Sequence, residues 1–103
     1  MLNYRTFPKI MVVGILRVEL HFPAPNSLKT KRSILKKVID RLHNSFNISV
    51  SEVDCHDLWQ RSVLGICIVG AQRRYINGVL NKVVNLIESI HDVQMLDYGM
   101  EFI

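Results

Sequence analysis

Six segments of the chain show two kinds of apolar repeat, and their order along the chain limits the folds it can adopt. Apolar residues alternate with other residues, as in a β-strand, in four segments: 11–21, 47–53, 61–69 and 93–103. They recur every three or four positions, as in an amphipathic helix, in residues 28–44 and 72–91. The predicted order is therefore strand, helix, strand, strand, helix, strand.

This order is typical of the βαββαβ ferredoxin-like sandwich, an α+β fold with a four-stranded antiparallel-type sheet and two helices on one face. Right-handed crossovers place the first and third strands side by side in the centre. The alternation predicts these core positions on the strands: Leu16, Val18, Leu20, Ile48, Val50, Leu64, Ile66 and Ile68, with Leu96, Tyr98, Met100 and Phe102 on the last strand.

The first predicted helix combines an apolar stripe with a set of cations. The stripe consists of Leu28, Leu35, Val38, Ile39 and Leu42. The cations on the opposite arc are Lys29, Arg32, Lys36, Lys37 and Arg41. Lys31 falls near the stripe, and we expect its ammonium group to project past the edge of the core. Asn26 or Ser27 is the expected N-cap.

This helix also accounts for the charge of the chain. The formal net charge is +4, yet residues 27–44 carry six cations and only one carboxylate, Asp40. The remaining 85 residues carry seven positive and eight negative side chains. A solvated helix usually mixes charge signs at four-residue spacing, so this concentration of cations supports contact with phosphates as well as it supports a plain solvated surface.

The sheet face away from the helices lacks the aromatic side chains on which RNA-recognition modules of this architecture stack bases. The residues expected on this face are Arg17, Glu19, His21, Ser49, Ser51, Val63, Gly65, Cys67, Asp97 and Glu101. We therefore expect cross-strand pairing of Arg17 with Asp97 or Glu101 there, in place of base stacking.

The connection from Asp54 to Arg61 contains several residues that can bind metals or react, but their spacing predicts no site. Structural zinc needs four spaced ligands, whereas Cys55 and His56 are adjacent, and no third group orients them for nucleophilic catalysis. We expect a turn in which Asp54 or Asp57 accepts backbone N–H groups. Trp59 either packs at the core edge or anchors an interface with another protein.

Length and composition bound the remaining properties. A chain of 103 residues forms one domain, and its apolar runs are too short to span a bilayer or to form a secretory signal. Two cysteines are too few for a disulfide framework. These features predict a reduced cytoplasmic protein with no membrane association. No small-molecule substrate, cofactor or metal is indicated, and we expect no enzymatic activity.

From Met11 onward the sequence resembles the bacterial YlxP-like family, a domain of unknown function. The motifs that carry the resemblance are Leu16-Arg17-Val18-Glu19-Leu20, Ser27-Leu28-Lys29 with Lys31-Arg32, Phe46-Asn47, Glu52-Val53-Asp54 and Asp57-Leu58-Trp59-Gln60-Arg61. Members usually begin near Met11, which makes residues 1–10 an N-terminal extension and residues 11–103 the domain. The resemblance implies a ferredoxin-like fold. Neighbouring genes for translation-initiation and ribosome-maturation factors imply a ribosome-associated role.

Two functions follow from these expectations. In the first, the protein binds RNA or the ribosome through Lys29, Lys31, Arg32, Lys36, Lys37 and Arg41, with Arg61 extending the patch. In the second, it is a homo-oligomeric interaction module, for example a homodimer, that uses Trp59, an edge strand or the open sheet face.

Overall fold

The structure is a computed structural model that describes residues 11–103; the predicted extension, residues 1–10, lies outside the described residues. The elements, in chain order, are β1 (Val12–His21), α1 (Leu28–Ser45), β2 (Ser49–Asp54), β3 (Arg61–Gly70), α2 (Arg73–Glu88) and β4 (Gln94–Phe102). The predicted element order is therefore confirmed.

The four strands form one sheet in the order β2-β3-β1-β4, in which every neighbouring pair is antiparallel. β1 and β3 occupy the centre, and their register runs without interruption from Val12 opposite Gly70 to His21 opposite Arg61. Both helices pack on the same face of this sheet. The fold is therefore the α+β ferredoxin-like sandwich that the repeat pattern predicts.

The core lies between the sheet and the two helices. The core consists of every second residue of the central strands, as the alternation predicts, and of the apolar stripes of the two helices. The fully or almost fully buried members include Leu16, Val18, Leu20, Leu64 and Ile66 from the sheet, Leu35, Val38 and Leu42 from α1, and Ile76, Leu80, Val83 and Ile87 from α2.

The predicted core positions of β4 are confirmed for Met100 and Phe102, which pack against the core, and are wrong for Leu96 and for Tyr98, which is 45% exposed. Glu19 lies opposite Asp97, but the next residue of β1, Leu20, lies opposite Met95. Leu96 is therefore the extra residue of a β-bulge, and it is 49% exposed while Met95 packs against the core. An inserted residue reverses the alternation, which is why the pattern failed at Leu96.

The expected cross-strand partner of Arg17 is also wrong. Its guanidinium lies 2.8 Å from the carboxylate of Glu19 on the same strand. The residue opposite Arg17 on β4 is Gly99, which has no side chain to offer, whereas Asp97 lies opposite Glu19. Side chains two apart on a strand share a face, so Glu19 supplies the nearer carboxylate.

The length and apolar character of the two helices decide whether either could span a membrane. Within residues 11–103, neither has the length and apolar character that a bilayer span requires.

Candidate nucleic-acid interface

A fixed N-terminus sets the orientation of α1. Ser27 is the N-cap: its side-chain oxygen accepts a hydrogen bond from the backbone N–H of Thr30 at 3.1 Å. The backbone N–H of Lys31 donates to the carbonyl oxygen of Ser27 at the same distance. These bonds satisfy donors that the first turn of a helix leaves free, and they place Leu28 as the first helical residue.

Five cations lie exposed on α1, on the side away from its buried residues. We call them the cationic face of α1, and they are Lys29, Arg32, Lys36, Lys37 and Arg41. From Lys29 to Arg41 the helix rises about 18 Å, so the charges form a ridge along most of the helix. All five were predicted as site residues from the sequence.

Two carboxylates partly offset this charge. The ammonium of Lys36 lies 2.7 Å from Asp40 one turn further along the helix, and the guanidinium of Arg32 lies 3.9 Å from Asp57 of the β2–β3 connection. Both pairs are solvent-exposed, and such pairs contribute little to stability. The cationic face therefore keeps an excess of positive charge that an incoming phosphate can use.

Lys31 does not belong to this face, which corrects the prediction for this residue. Its side chain has no exposed surface, and its ammonium lies 2.7 Å from a carboxylate oxygen of Glu52. The same oxygen of Glu52 accepts a hydrogen bond from the hydroxyl of the buried Ser62 at 2.6 Å. Lys31 is thus one half of a buried ion pair and has no contact with solvent through which to bind a phosphate.

The sequence carries a signal for this pair that the apolar stripe alone does not reveal. Lys31, Leu35, Val38 and Leu42 are four, three and four residues apart, so Lys31 occupies a stripe position. On β2, Glu52 follows Val50 on the inward-facing alternation. Opposite charges at two inward positions of neighbouring elements predict a buried pair, because a buried charge needs a partner.

The buried ammonium also fixes the connection between β2 and β3. Lys31 donates to the backbone carbonyl oxygens of Cys55 at 3.0 Å and His56 at 3.4 Å. Cys55 has a φ of 63°, in the left-handed region, and its N–H donates to the side chain of Asp54 at 2.7 Å. The backbone N–H of Leu58 donates a hydrogen bond to the carbonyl oxygen of Cys55 at 3.1 Å, which closes the turn. The expected turn with Asp54 as acceptor is therefore present.

Trp59 follows this turn and is 53% exposed, so it does not pack into the core. Its neighbour Leu58 is 50% exposed. The connection is held on its far side by the N–H of Phe22, which donates to the Gln60 carbonyl at 3.0 Å. Hydrogen bonds therefore fix the backbone on both sides of the half-exposed Trp59.

Arg61 lies elsewhere, and the expectation that it extends the basic patch is wrong. Its guanidinium lies 3.7 Å from Glu19, which also pairs with Arg17 on the open sheet face. The helices cover the opposite face of the sheet. Arg61 therefore belongs to an ion-pair group on the other side of the molecule from the cationic face of α1.

The structure also shows the surroundings of the His and Cys side chains that were considered as metal ligands or nucleophiles. His56 Nε2 lies 3.1 Å from the carbonyl oxygen of Glu52, the distance of a hydrogen bond. Cys55 and Cys67 are both free thiols. Over the part of the chain that the structure describes, no three His, Cys, Asp or Glu side chains gather in a way that would hold a metal ion.

Comparisons with known proteins agree with this fold. In sequence, the chain is similar to the "Uncharacterized protein YlxP" of Bacillus subtilis (strain 168), which is 34% identical over 83 residues, covering 81% of this chain and 90% of that protein. Among solved structures, the de novo designed protein Foldit4 matches with a TM-score of 0.52 at 12% identity, covering 90% of this chain and 96% of the design.

A second solved structure, the C-terminal segment of the alpha subunit of aIF2 from Pyrococcus abyssi, matches with a TM-score of 0.51 at 18% identity. It covers 91% of this chain and 53% of that one. At these identities both structures are similar in fold alone. The family model described as "Protein of unknown function (DUF503)" matches residues 13–100. Together with the 34% identity to the Bacillus protein, this match shows that the chain belongs to the YlxP-like DUF503 family.

Proposed function

We propose that this protein is a cytoplasmic, non-catalytic RNA-binding module, associated with the ribosome, that contacts phosphates through the cationic face of α1. The observation that carries the proposal is the set of five exposed cations along one helix, opposite its buried stripe. Two exposed carboxylates, Asp40 and Asp57, are their paired counter-charges. A ridge of this kind neutralises phosphates without reading bases.

The local energetics of α1 add support. The first turn of the helix contains no acidic residue, although the helix dipole favours acidic side chains there and disfavours Lys29 and Arg32. Cations at this end are therefore unfavourable for the helix itself. A phosphate bound beside them would offset that cost, because it supplies the negative charge that the helix N-terminus attracts.

The gene neighbourhood implied by the family resemblance supports ribosomal RNA as the RNA concerned. The match to the segment of the aIF2 alpha subunit, at 18% identity, supports the fold and does not bear on RNA binding. RNA binding in this proposal rests on the charge arrangement of the chain itself.

The test is the salt dependence of RNA binding in charge-reversal variants. Lys29→Glu with Arg32→Glu removes two phosphate contacts, so we expect weaker binding and a slope of log affinity against log salt that is shallower by about one to two. Fluorescence anisotropy of a labelled single-stranded RNA at several salt concentrations measures both. Wild-type binding without a salt slope would contradict the proposal.

A matched control separates the site from the total charge. Arg74→Glu with Lys82→Glu changes the net charge by the same amount at two exposed positions of α2. Arg73 is unsuitable for this purpose, because its guanidinium stacks 4.5 Å above the ring of Phe102. If the α2 variant loses as much affinity as the α1 variant, the binding is nonspecific and the cationic face is not the site.

A homo-oligomeric interaction module is the second candidate, and the open sheet face favours it. Val13 exchanges backbone hydrogen bonds with Ile103 and lies opposite Val69, so these three residues form one apolar row. Val69 and Ile103 are each more than half exposed. If this row joins two copies, sedimentation at tens of micromolar will show a dimer that Val69→Lys dissociates; a wild-type monomer would count against it.

A further inference from the structure

We propose that Trp59 is a base-stacking platform next to the cationic face of α1, so that the RNA bound there is single-stranded at this point. The inference rests on the proposed function and names the class of RNA. Aromatic side chains next to a positively charged groove are the means by which proteins bind single strands without reading sequence. The open sheet face offers no Phe, Tyr or Trp for this role among the described positions of its strands, whereas the β2–β3 connection offers Trp59.

The position of the connection brings the two features together. The carboxylate of Asp57 lies 3.9 Å from the guanidinium of Arg32, and the buried ammonium of Lys31 holds the Cys55 carbonyl at 3.0 Å. Two residues of chain span at most about 7 Å, so Trp59 lies within that reach of Asp57. A strand whose phosphates contact the first turns of α1 therefore has bases within reach of the indole.

The exposure of the indole and the fixed backbone on either side of it suit Trp59 to stacking. Trp59 is 53% exposed, which leaves about half of its surface open to a ligand. The connection on which it sits is fixed to α1 by Lys31 and to β1 by the Phe22 N–H bond to Gln60. Stacking on a residue whose backbone is already fixed costs less conformational entropy than stacking on one in a loop that must first be ordered.

The charge around Trp59 favours nucleic acid over an apolar protein partner. The charge contact that joins this connection to α1 is made with a cation: Asp57, two residues before Trp59, lies 3.9 Å from the exposed Arg32. A phosphate bound at Arg32 therefore lies close to the connection that carries Trp59.

Trp59 is the only tryptophan of the chain, so its fluorescence reports on stacking without any label. The probe is a mixed-sequence twelve-nucleotide single-stranded RNA, compared with the duplex that it forms with its complement. We expect the single strand to quench Trp59 fluorescence and the duplex, whose bases are already stacked, to quench it little. Anisotropy of the labelled RNAs measures binding independently of quenching.

The variants separate stacking from charge. Trp59→Ala should weaken single-strand binding about tenfold with an unchanged salt slope, whereas Trp59→Phe, which keeps an aromatic face, should stay within a few-fold of the wild type. Lys29→Glu with Arg32→Glu should instead change the slope. Circular dichroism and urea midpoints check that Trp59→Ala, a change at a half-exposed position, remains folded.

The possible failures are distinguishable. If the wild type binds neither RNA at low salt, the proposed function fails and the stacking platform fails with it. If RNA binds with a salt slope but Trp59→Ala binds equally well and no quenching occurs, only the stacking platform is overturned. A Trp59→Ala variant that binds RNA normally but changes the oligomeric state would assign the indole to a protein contact and would likewise overturn it.

Discussion

At the scale of single residues, the buried Lys31 separates the structural charges of α1 from the binding charges. Its ammonium has three acceptors: the Glu52 carboxylate and the carbonyls of Cys55 and His56. The other five predicted cations of α1 are exposed. Six similar residues therefore divide into one that holds the β2–β3 connection and five that can reach phosphates.

The Lys31–Glu52 pair predicts a large and non-additive effect on stability. Lys31→Met leaves the Glu52 carboxylate without its cation, so we expect a loss of about 3 kcal/mol in the free energy of unfolding. Lys31→Met combined with Glu52→Leu removes both charges and should lose less than the sum of the single changes. Urea denaturation measures all three variants. Additive losses would show that the two groups do not interact.

At the scale of elements, the contact between β1 and α2 depends on a glycine. A Cβ atom at Gly14 would overlap the Cγ2 of Ile76 and meet the Cδ1 of Leu80 at 3.0 Å. Ile76 is β-branched and fully buried, so its methyl group has little freedom to move away. The absence of a side chain at Gly14 therefore lets α2 approach the sheet closely.

Two glycine substitutions should consequently change stability in opposite directions. Gly14→Ala should lower the free energy of unfolding by about 1–3 kcal/mol through overpacking. Gly78→Ala, at an exposed position inside α2 where nothing lies within 4 Å of the added Cβ, should raise it by about 0.5–1 kcal/mol. Thermal or urea unfolding distinguishes the two. A neutral Gly14→Ala would mean that α2 shifts easily on the sheet.

At the scale of the whole molecule, regular repeats were predictable and their interruptions were not. The alternation correctly placed Leu16 and Ile66 in the core, but it failed at Leu96, because a bulge depends on the neighbouring strand. The exposed cations followed from the helical repeat. The helical repeat alone did not show that Lys31 is buried; that follows only when its stripe position is combined with the inward position of Glu52 on β2. Trp59 lies in a connection with no repeat, so both of its expected environments stayed open.

The distribution of charge over the molecule predicts that RNA binding depends on where charge is added. Asp97 and Glu101 are exposed on β4, at the opposite edge of the sheet from β2. Changing both to lysine raises the net charge by four, but the thickness of the sheet and of α1, a helix about 10 Å across, separates the new lysines from the cationic face. Screening at physiological salt acts over about 8 Å, so we expect RNA affinity to change less than threefold. If affinity instead rises tenfold or more in the anisotropy assay, net charge rather than α1 governs the binding.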